Sequence, residues 1–341
     1  MLRTLITGSR SSQLARRQTD LVITLLQAAW PELEVQVKVY STRGDRDVSS
    51  PLPAIGGKGV FTAEIETGLR RGEIHLAVHS LKDLPTSQAG SADDLCIAAT
   101  PLRGDARDAL ISRYGLPLAR LPAAPRIGTC SPRRAAQIVA ARPDAIITPL
   151  RGNVDTRLRK AMTPDYDAIV LAAVGLVRLE AASHVTEWLP FDVMLPAAGQ
   201  GALAVQCRVD DAETLALLRP IHHSATWAAV SAERAFLAAL GGGCAAPAAA
   251  YAEITVEETG RPVLRLRGLV ASPVSLPGED RIGEAASEPA AGPAVVRVEG
   301  VGSPDQPERL GRRLAEEALA AGGRAILQTV REANPQGRPP M

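Results

Sequence analysis

Apolar and polar positions alternate between two periods along the first part of the chain. Residues 2–7 (LRTLIT) form a short apolar run that predicts a strand. A Gly-Ser-Arg-Ser-Ser turn follows, where Ser11 or Ser12 can cap a helix carrying Leu14, Leu21, Leu25 and Ala29. Residues 33–40 alternate strictly, which puts Leu33, Val35, Val37 and Val39 on one face of a second strand. From about Val60 the spacing of Phe61, Ile65 and Leu69 predicts a helix, and 75–80 (HLAVHS) returns as a strand. This is βαβ order, so an open α/β sheet is expected.

The order restarts near residue 126. Arg126-Ile127-Gly128 reads as a strand, and Pro132 suits the first turn of a helix bearing Ile138 and Val139. Residues 145–150 and 167–173 are candidate buried strands with a helix between them, and 173–178 (AVGLVR) reads as a strand followed by a turn. The run 201–207 (GALAVQC) predicts one more strand that can cross back to the first unit. A strong helix over 224–240 opens a third, α+β unit with strands at 263–270 and 295–298 and a helix carrying Leu310, Leu314 and Leu319. The expected division is 1–99 with 201–219, then 103–197, then 222–341. Residues 271–294 are rich in Pro, Gly, Ala and Ser and predict a long exposed loop, and the tail 333–341 is expected to be disordered.

Composition narrows the function. The 341 residues are 46% hydrophobic and 22% charged, ordinary values for a globular chain, with aromatics at only 3%. A formal net charge of +1 gives no overall pull toward nucleic acid or membrane, so any anion chemistry must come from local clusters. No stretch approaches the length of a membrane span, and the first residues show no export-type pattern. Cys96, Cys130, Cys207 and Cys244 are widely spaced and lack metal-ligand spacing, which predicts a cytoplasmic chain with reduced thiols and no metal.

Arginines cluster where the predicted strands end. Arg10 lies in Thr7-Gly8-Ser9-Arg10-Ser11-Ser12, and Thr129-Cys130-Ser131-Pro132-Arg133-Arg134 repeats the arrangement in the second unit. Helix N-termini there add free N–H groups and the positive dipole end. Arg151 and Arg157 (LRGNVDTRL) and Arg178 complete the set. Each alone also fits a solvated helix end, but together they imply a ligand carrying several carboxylates. His79-Ser80-Leu81-Lys82-Asp83-Leu84-Pro85 follows a strand, where Asp83 can balance a developing cation, move a proton or simply cap the turn. Gly56-Gly57-Lys58-Gly59 lacks the P-loop frame and equally suits a glycine-rich lid. Cys244, between glycines and alanines, is either an approachable nucleophile or a small buried thiol.

These segments, in this order, resemble hydroxymethylbilane synthases (porphobilinogen deaminases). The matching stretches are residues 8–15, 42–45, 56–61, 77–85, 128–134, 150–158, 171–179, 195–201 and 242–244. The resemblance implies two type II periplasmic-binding-protein-like α/β domains around a cleft, plus a small α+β domain. It implies a covalent dipyrromethane cofactor on Cys244 and Asp83 as the catalytic carboxylate. Arg10, Arg133, Arg134, Arg151, Arg157, Arg178 and Lys82 would bind pyrrole acetates and propionates, supported by Ser12, Ser80, Thr129 and Ser131. Gly57, Lys58, Gly59 and Phe61 would form a loop near the cleft. The implied substrate is porphobilinogen, and the implied state is a monomer without nucleic-acid or membrane partners. Ala54, Cys130, Gly241 and Ala245 depart from residues common in relatives. A non-catalytic carboxylate-binding protein, or an inactive relative of the same fold, is the competing reading.

Overall fold

A computed structural model of the chain describes residues 4–42, 62–86, 94–241, 247–274 and 293–333. The first sheet is built from β1 (Thr4–Arg10), β2 (Glu34–Tyr40), β3 (Leu76–Ser80) and β4 (Leu95–Ala99), with helices α1 (Gln13–Ala29) and α2 (Ala63–Arg70). The chain then builds a second sheet from β5 (Asp108–Ser112), β6 (Arg126–Gly128), β7 (Ile146–Thr148), β8 (Ala168–Ala172) and β9 (Glu187–Trp188). Its helices are α3 (Pro132–Ala141), α4 (Val154–Ala161) and α5 (Ala173–Arg178). A return crossing places β10 (Leu203–Arg208) back in the first sheet, followed by α6 (Ala212–Leu218).

The strand orders are β2-β1-β3-β10-β4 and β7-β6-β8-β5-β9. In each sheet the sequential βαβ strands pair in parallel, and one strand delivered by a crossing, β10 or β5, runs antiparallel to its neighbours. The central strands β3 and β8 are buried along nearly their whole length, as strands covered on both faces require. At the edge, alternation in β2 is only partly used: Val35 packs on the core, whereas Val39 is exposed. Residues 173–178 are the helix α5 rather than a strand and turn, because β8 ends at Ala172 and the chain coils directly over the sheet end.

A third unit follows. Helix α7 (Ser224–Leu240) packs with α8 (Pro307–Ala318) over the antiparallel sheet β11 (Ala248–Val256), β12 (Pro262–Ala271) and β13 (Val295–Gly302), with α9 (Arg324–Ala333) after it. Phe236, Leu264, Leu266 and Leu314 are fully buried in this core. Helix α7 ends at Gly241, whose φ of 65° is the left-handed conformation a glycine adopts without strain. Residues 275–292 and 334–341, the bulk of the expected loop and tail, lie outside the described residues.

The two crossings meet at one point. Gly104 N–H donates to the Gly201 carbonyl at 3.2 Å. Gly201 has φ 91°, and a Cβ there would crowd the carbonyl oxygens of Gly104 and Asp105. Beside this crossing, Arg103 donates to both oxygens of Glu233 on α7, at 2.6 and 3.1 Å, and to the Gln200 carbonyl at 2.8 Å. Glu233 is 0% exposed and also accepts from Gly199 N–H at 2.6 Å and Ala252 N–H at 2.7 Å. One buried carboxylate therefore joins both crossings to the helix and the third sheet.

Removing one partner of such a pair leaves an unpaired buried charge. Glu233→Ala is therefore expected to cost on the order of 3–5 kcal/mol, read as a lower urea midpoint. A loss below about 1 kcal/mol, the range of an exposed pair, would show that it does not hold the crossings together.

Candidate active site

The first wall of the cleft grows from the end of β3. Ser80 closes the strand, and Leu81–Asp83 forms one turn of 3₁₀ helix. This turn is fixed from below: Leu81 N–H donates to the Ala202 carbonyl at 3.0 Å, and Leu81 and Leu84 pack with Ala202, Ala204 and Val230. Arg234 of α7 holds the chain just beyond it, donating to the carbonyls of Leu84 at 3.2 Å and Pro85 at 2.6 Å. With its neighbours anchored, Asp83 is left exposed. Lys82 is half-buried and donates to Gln200 Oε1 at 3.1 Å. Burial, then the nearby Arg134, push its ammonium down to about 8, while Asp83 and Asp108 act in the opposite direction.

The second wall is made at the N-terminus of α3. Ser131 caps the helix by accepting from Arg134 N–H, Thr129 accepts from Ser131 N–H at 3.1 Å, and Pro132 occupies the first turn. The next two residues turn inward, Arg133 6% and Arg134 7% exposed. Arg133 Nη1 lies 2.7 Å from Asp108 Oδ2 and donates to the Leu195 carbonyl at 2.6 Å. Arg134 donates to Asp108 Oδ1 through Nε at 3.1 Å and Nη2 at 2.7 Å, and to the Val170 carbonyl at 3.1 Å. Burial alone would raise Asp108, but Arg133 and Arg134 hold its carboxyl well below the usual range. Gln200 closes the network, donating to Asp108 Oδ1 at 3.0 Å while accepting from Lys82. The two walls are thus joined from Lys82 through Gln200 and Asp108 to both guanidiniums.

Further cations stand around this pair. Arg157, on α4, donates to the Gly152 carbonyl at 2.7 Å and is pushed down by burial and then by Arg134 and Arg151. Arg178 donates to the Gly201 carbonyl at 2.9 Å and is pushed down to about 10 by burial. Arg10 ends β1 and acts on the buried His79, which burial moves down to about 4. Ser12 caps α1, and Ser80 exchanges hydrogen bonds with Gln18. Burial disfavours the charges of Arg157 and Arg178, so an anion able to replace the lost water is the natural ligand. A guanidinium has five N–H donors, and Arg133 and Arg134 each retain some for such an anion.

Cys244, and the loop residues Gly57, Lys58, Gly59 and Phe61 with Ala54 and Ala245, lie outside the described residues. Helix α7 does fix the start of the cysteine segment, because Gly241 ends the same helix whose Arg234 secures the Asp83 turn. Asp108 and Gln200 were not singled out from the sequence. Asp108 reads there as the polar start of an apolar strand (DALIS), and only the proximity of two buried arginines reveals its part.

The porphobilinogen deaminase, dipyrromethane cofactor binding domain family matches residues 5–216, and the porphobilinogen deaminase C-terminal domain family matches 227–320. Porphobilinogen deaminase of Roseiflexus sp. (strain RS-1) is 46% identical over 327 residues, covering 96% of this chain and 99% of the relative. The protein of that name from Shouchella clausii (strain KSM-K16) is 44% identical over 333 residues, covering 97% and 98%. That of Moorella thermoacetica (strain ATCC 39073 / JCM 9320) is 45% identical over 324 residues, covering 95% and 96%.

Asp108 favours the charged form of Lys82, so Asp108→Asn should move the Lys82 ammonium further below about 8, measured by NMR of the lysine Nζ. Lys82 is harder to charge in the folded chain than in the unfolded one. Its burial penalty is therefore fully present below about pH 8 and is relieved as pH rises from there toward 10.5. A Lys82 titration unmoved by Asp108→Asn would break the proposed link between the two walls.

Proposed function

The chain belongs to the porphobilinogen deaminase family, and from that premise we propose how its own residues carry out the reaction. The enzyme is a transferase: it condenses four porphobilinogen molecules head to tail with loss of ammonia, on a dipyrromethane primer, and releases linear hydroxymethylbilane for tetrapyrrole biosynthesis. The observation that carries the residue assignment is the pair of buried arginines sharing Asp108, which Gln200 links to Lys82, the neighbour of Asp83.

The donor set suits the cofactor and substrate. Each pyrrole carries two carboxylates, and Arg133, Arg134, Arg157, Arg178 and Lys82 form a surplus of desolvated cations to meet them. Arg10 and Arg151 extend the same cationic lining, with Ser12, Ser80, Thr129 and Ser131 fixing the turns that aim it. Cys244 is assigned as the attachment point of the primer from the family resemblance, three residues beyond the Gly241 that ends α7. When bound, the dipyrromethane would provide the free pyrrole end to which the first unit is joined, each later unit joining the end of the growing chain.

Asp83 does the charge work. Loss of ammonia from porphobilinogen leaves positive charge shared with the pyrrole nitrogen, and a carboxylate beside that N–H stabilises it. The same oxygen can accept the proton that the pyrrole carbon sheds when aromaticity returns. The anchored main chain on either side fixes the turn, while the exposed Asp83 side chain stays open to substrate. The arginines hold the carboxylates away from this centre, so the cation meets Asp83 rather than a substrate acid. The enzyme works as a cytoplasmic monomer on a small molecule, a reading that rests on the family resemblance, and its near-neutral charge gives no overall pull toward nucleic acid or membrane. Among the described residues no helix is long and apolar enough to cross a membrane.

The intact mass of the purified chain should exceed that of the polypeptide by one dipyrromethane, and Cys244→Ser should lose both the excess and turnover. An unmodified wild-type chain that gains no mass from porphobilinogen would overturn the assignment. Asp83→Asn should keep the added mass but lower kcat by roughly 10²–10⁴-fold, measured as hydroxymethylbilane formed per unit time. A variant within a factor of about three of wild type would remove Asp83 from the chemistry.

A further inference from the structure

The cleft chemistry uses no thiol other than Cys244, yet two further cysteines face one another in the first sheet. Strand β10 runs antiparallel beside the edge strand β4, and Cys207 stands directly opposite Cys96 in their register. Opposed side chains of an antiparallel pair have Cβ atoms about 4.5–5.5 Å apart. A disulfide needs about 3.5–4.5 Å, so a shift of roughly 1 Å brings the sulfurs into bonding range. Both side chains join the same core cluster, Cys207 fully buried and Cys96 at its margin and partly exposed. The Cys207 thiol donates to the Arg208 carbonyl at 3.3 Å, and its nearness holds the Cys96 thiol below its ordinary value despite burial. The accessible sulfur is the readier thiolate, and the buried one keeps its proton.

We propose that Cys96 and Cys207 form a redox site distinct from the cofactor cysteine, closing to a cross-strand disulfide when a hydroperoxide reaches the edge strand. The Cys96 thiolate attacks one peroxide oxygen, the O–O bond breaks, and the departing oxygen takes a proton. The Cys207 sulfur then attacks the Cys96 sulfenic acid, and its proton leaves with the hydroxyl as water. Two thiols are oxidised, and one hydrogen peroxide is reduced to two waters. The new bond joins β4, which feeds the outgoing crossing, to β10, which continues the returning one. The loop it closes therefore contains the whole second sheet. Cys130 sits in the turn after β6 on that second sheet, away from this register.

The test treats the full-length protein, cofactor included, with hydrogen peroxide, then alkylates the remaining thiols in denaturant and maps peptides without reductant. The expected result is loss of two alkylatable thiols, an intact mass lower by two hydrogens, and a single linked species containing Cys96 and Cys207. Dithiothreitol should restore both thiols, Cys130→Ser should keep the link, and Cys96→Ser should abolish it. Oxidation of Cys96 to sulfinic acid with Cys207 still alkylatable would overturn the proposal. So would a link joining any other pair, or unchanged thiols under peroxide that oxidises a free cysteine. The wild-type peptide map decides the matter even if a cysteine variant fails to fold.

Discussion

Two guanidiniums buried against one carboxylate set the terms for the rest of the cleft. Arg133 and Arg134 share Asp108, which leaves a positive charge unbalanced at the junction of the walls. Burial makes that charge costly in the free protein and makes carboxylates welcome there. Arg157, Arg178 and Lys82 stand in the same desolvated surroundings, so the imbalance grows rather than cancels. An enzyme that must retain a chain gaining two carboxylates per unit needs such a surplus. Asp108 keeps the surplus from becoming unbearable before the ligand arrives.

That carboxylate is placed by the crossings. Asp108 begins β5 directly after the outgoing segment, and Gln200, in the returning segment, donates to it. The crossings are in turn locked to α7 through Arg103 and Glu233. The same helix reaches the Asp83 turn through Arg234 and ends where the Cys244 segment begins. A single rod thus ties together the crossings, the Asp83 turn and the approach to the proposed attachment point, although it lies outside both larger sheets.

Much of this was legible in the sequence because it is local. The βαβ order, the capped start of α3 and the full length of α7 follow from periodicity and caps that neighbouring residues define. The return of β10 was also readable, as an apolar run with no partner nearby. What stayed hidden depends on contacts between distant segments. Residues 173–178 look extended in isolation, and their helix is decided by where β8 ends. Asp108 looks like a strand boundary until Arg133 and Arg134 fold over it, and Glu233 looks like a surface charge on a helix until Arg103 meets it. The facing of Cys96 and Cys207 exists only in the register of two strands separated by the entire second sheet.

The most direct measurement is a crystal structure of the chain carrying its dipyrromethane. The account predicts pyrrole carboxylate oxygens within about 2.7–3.2 Å of the guanidiniums of Arg133 and Arg134, on N–H groups that Asp108 does not occupy. It would be contradicted if both arginines remained bonded only to Asp108 and the main chain while the carboxylates were held elsewhere.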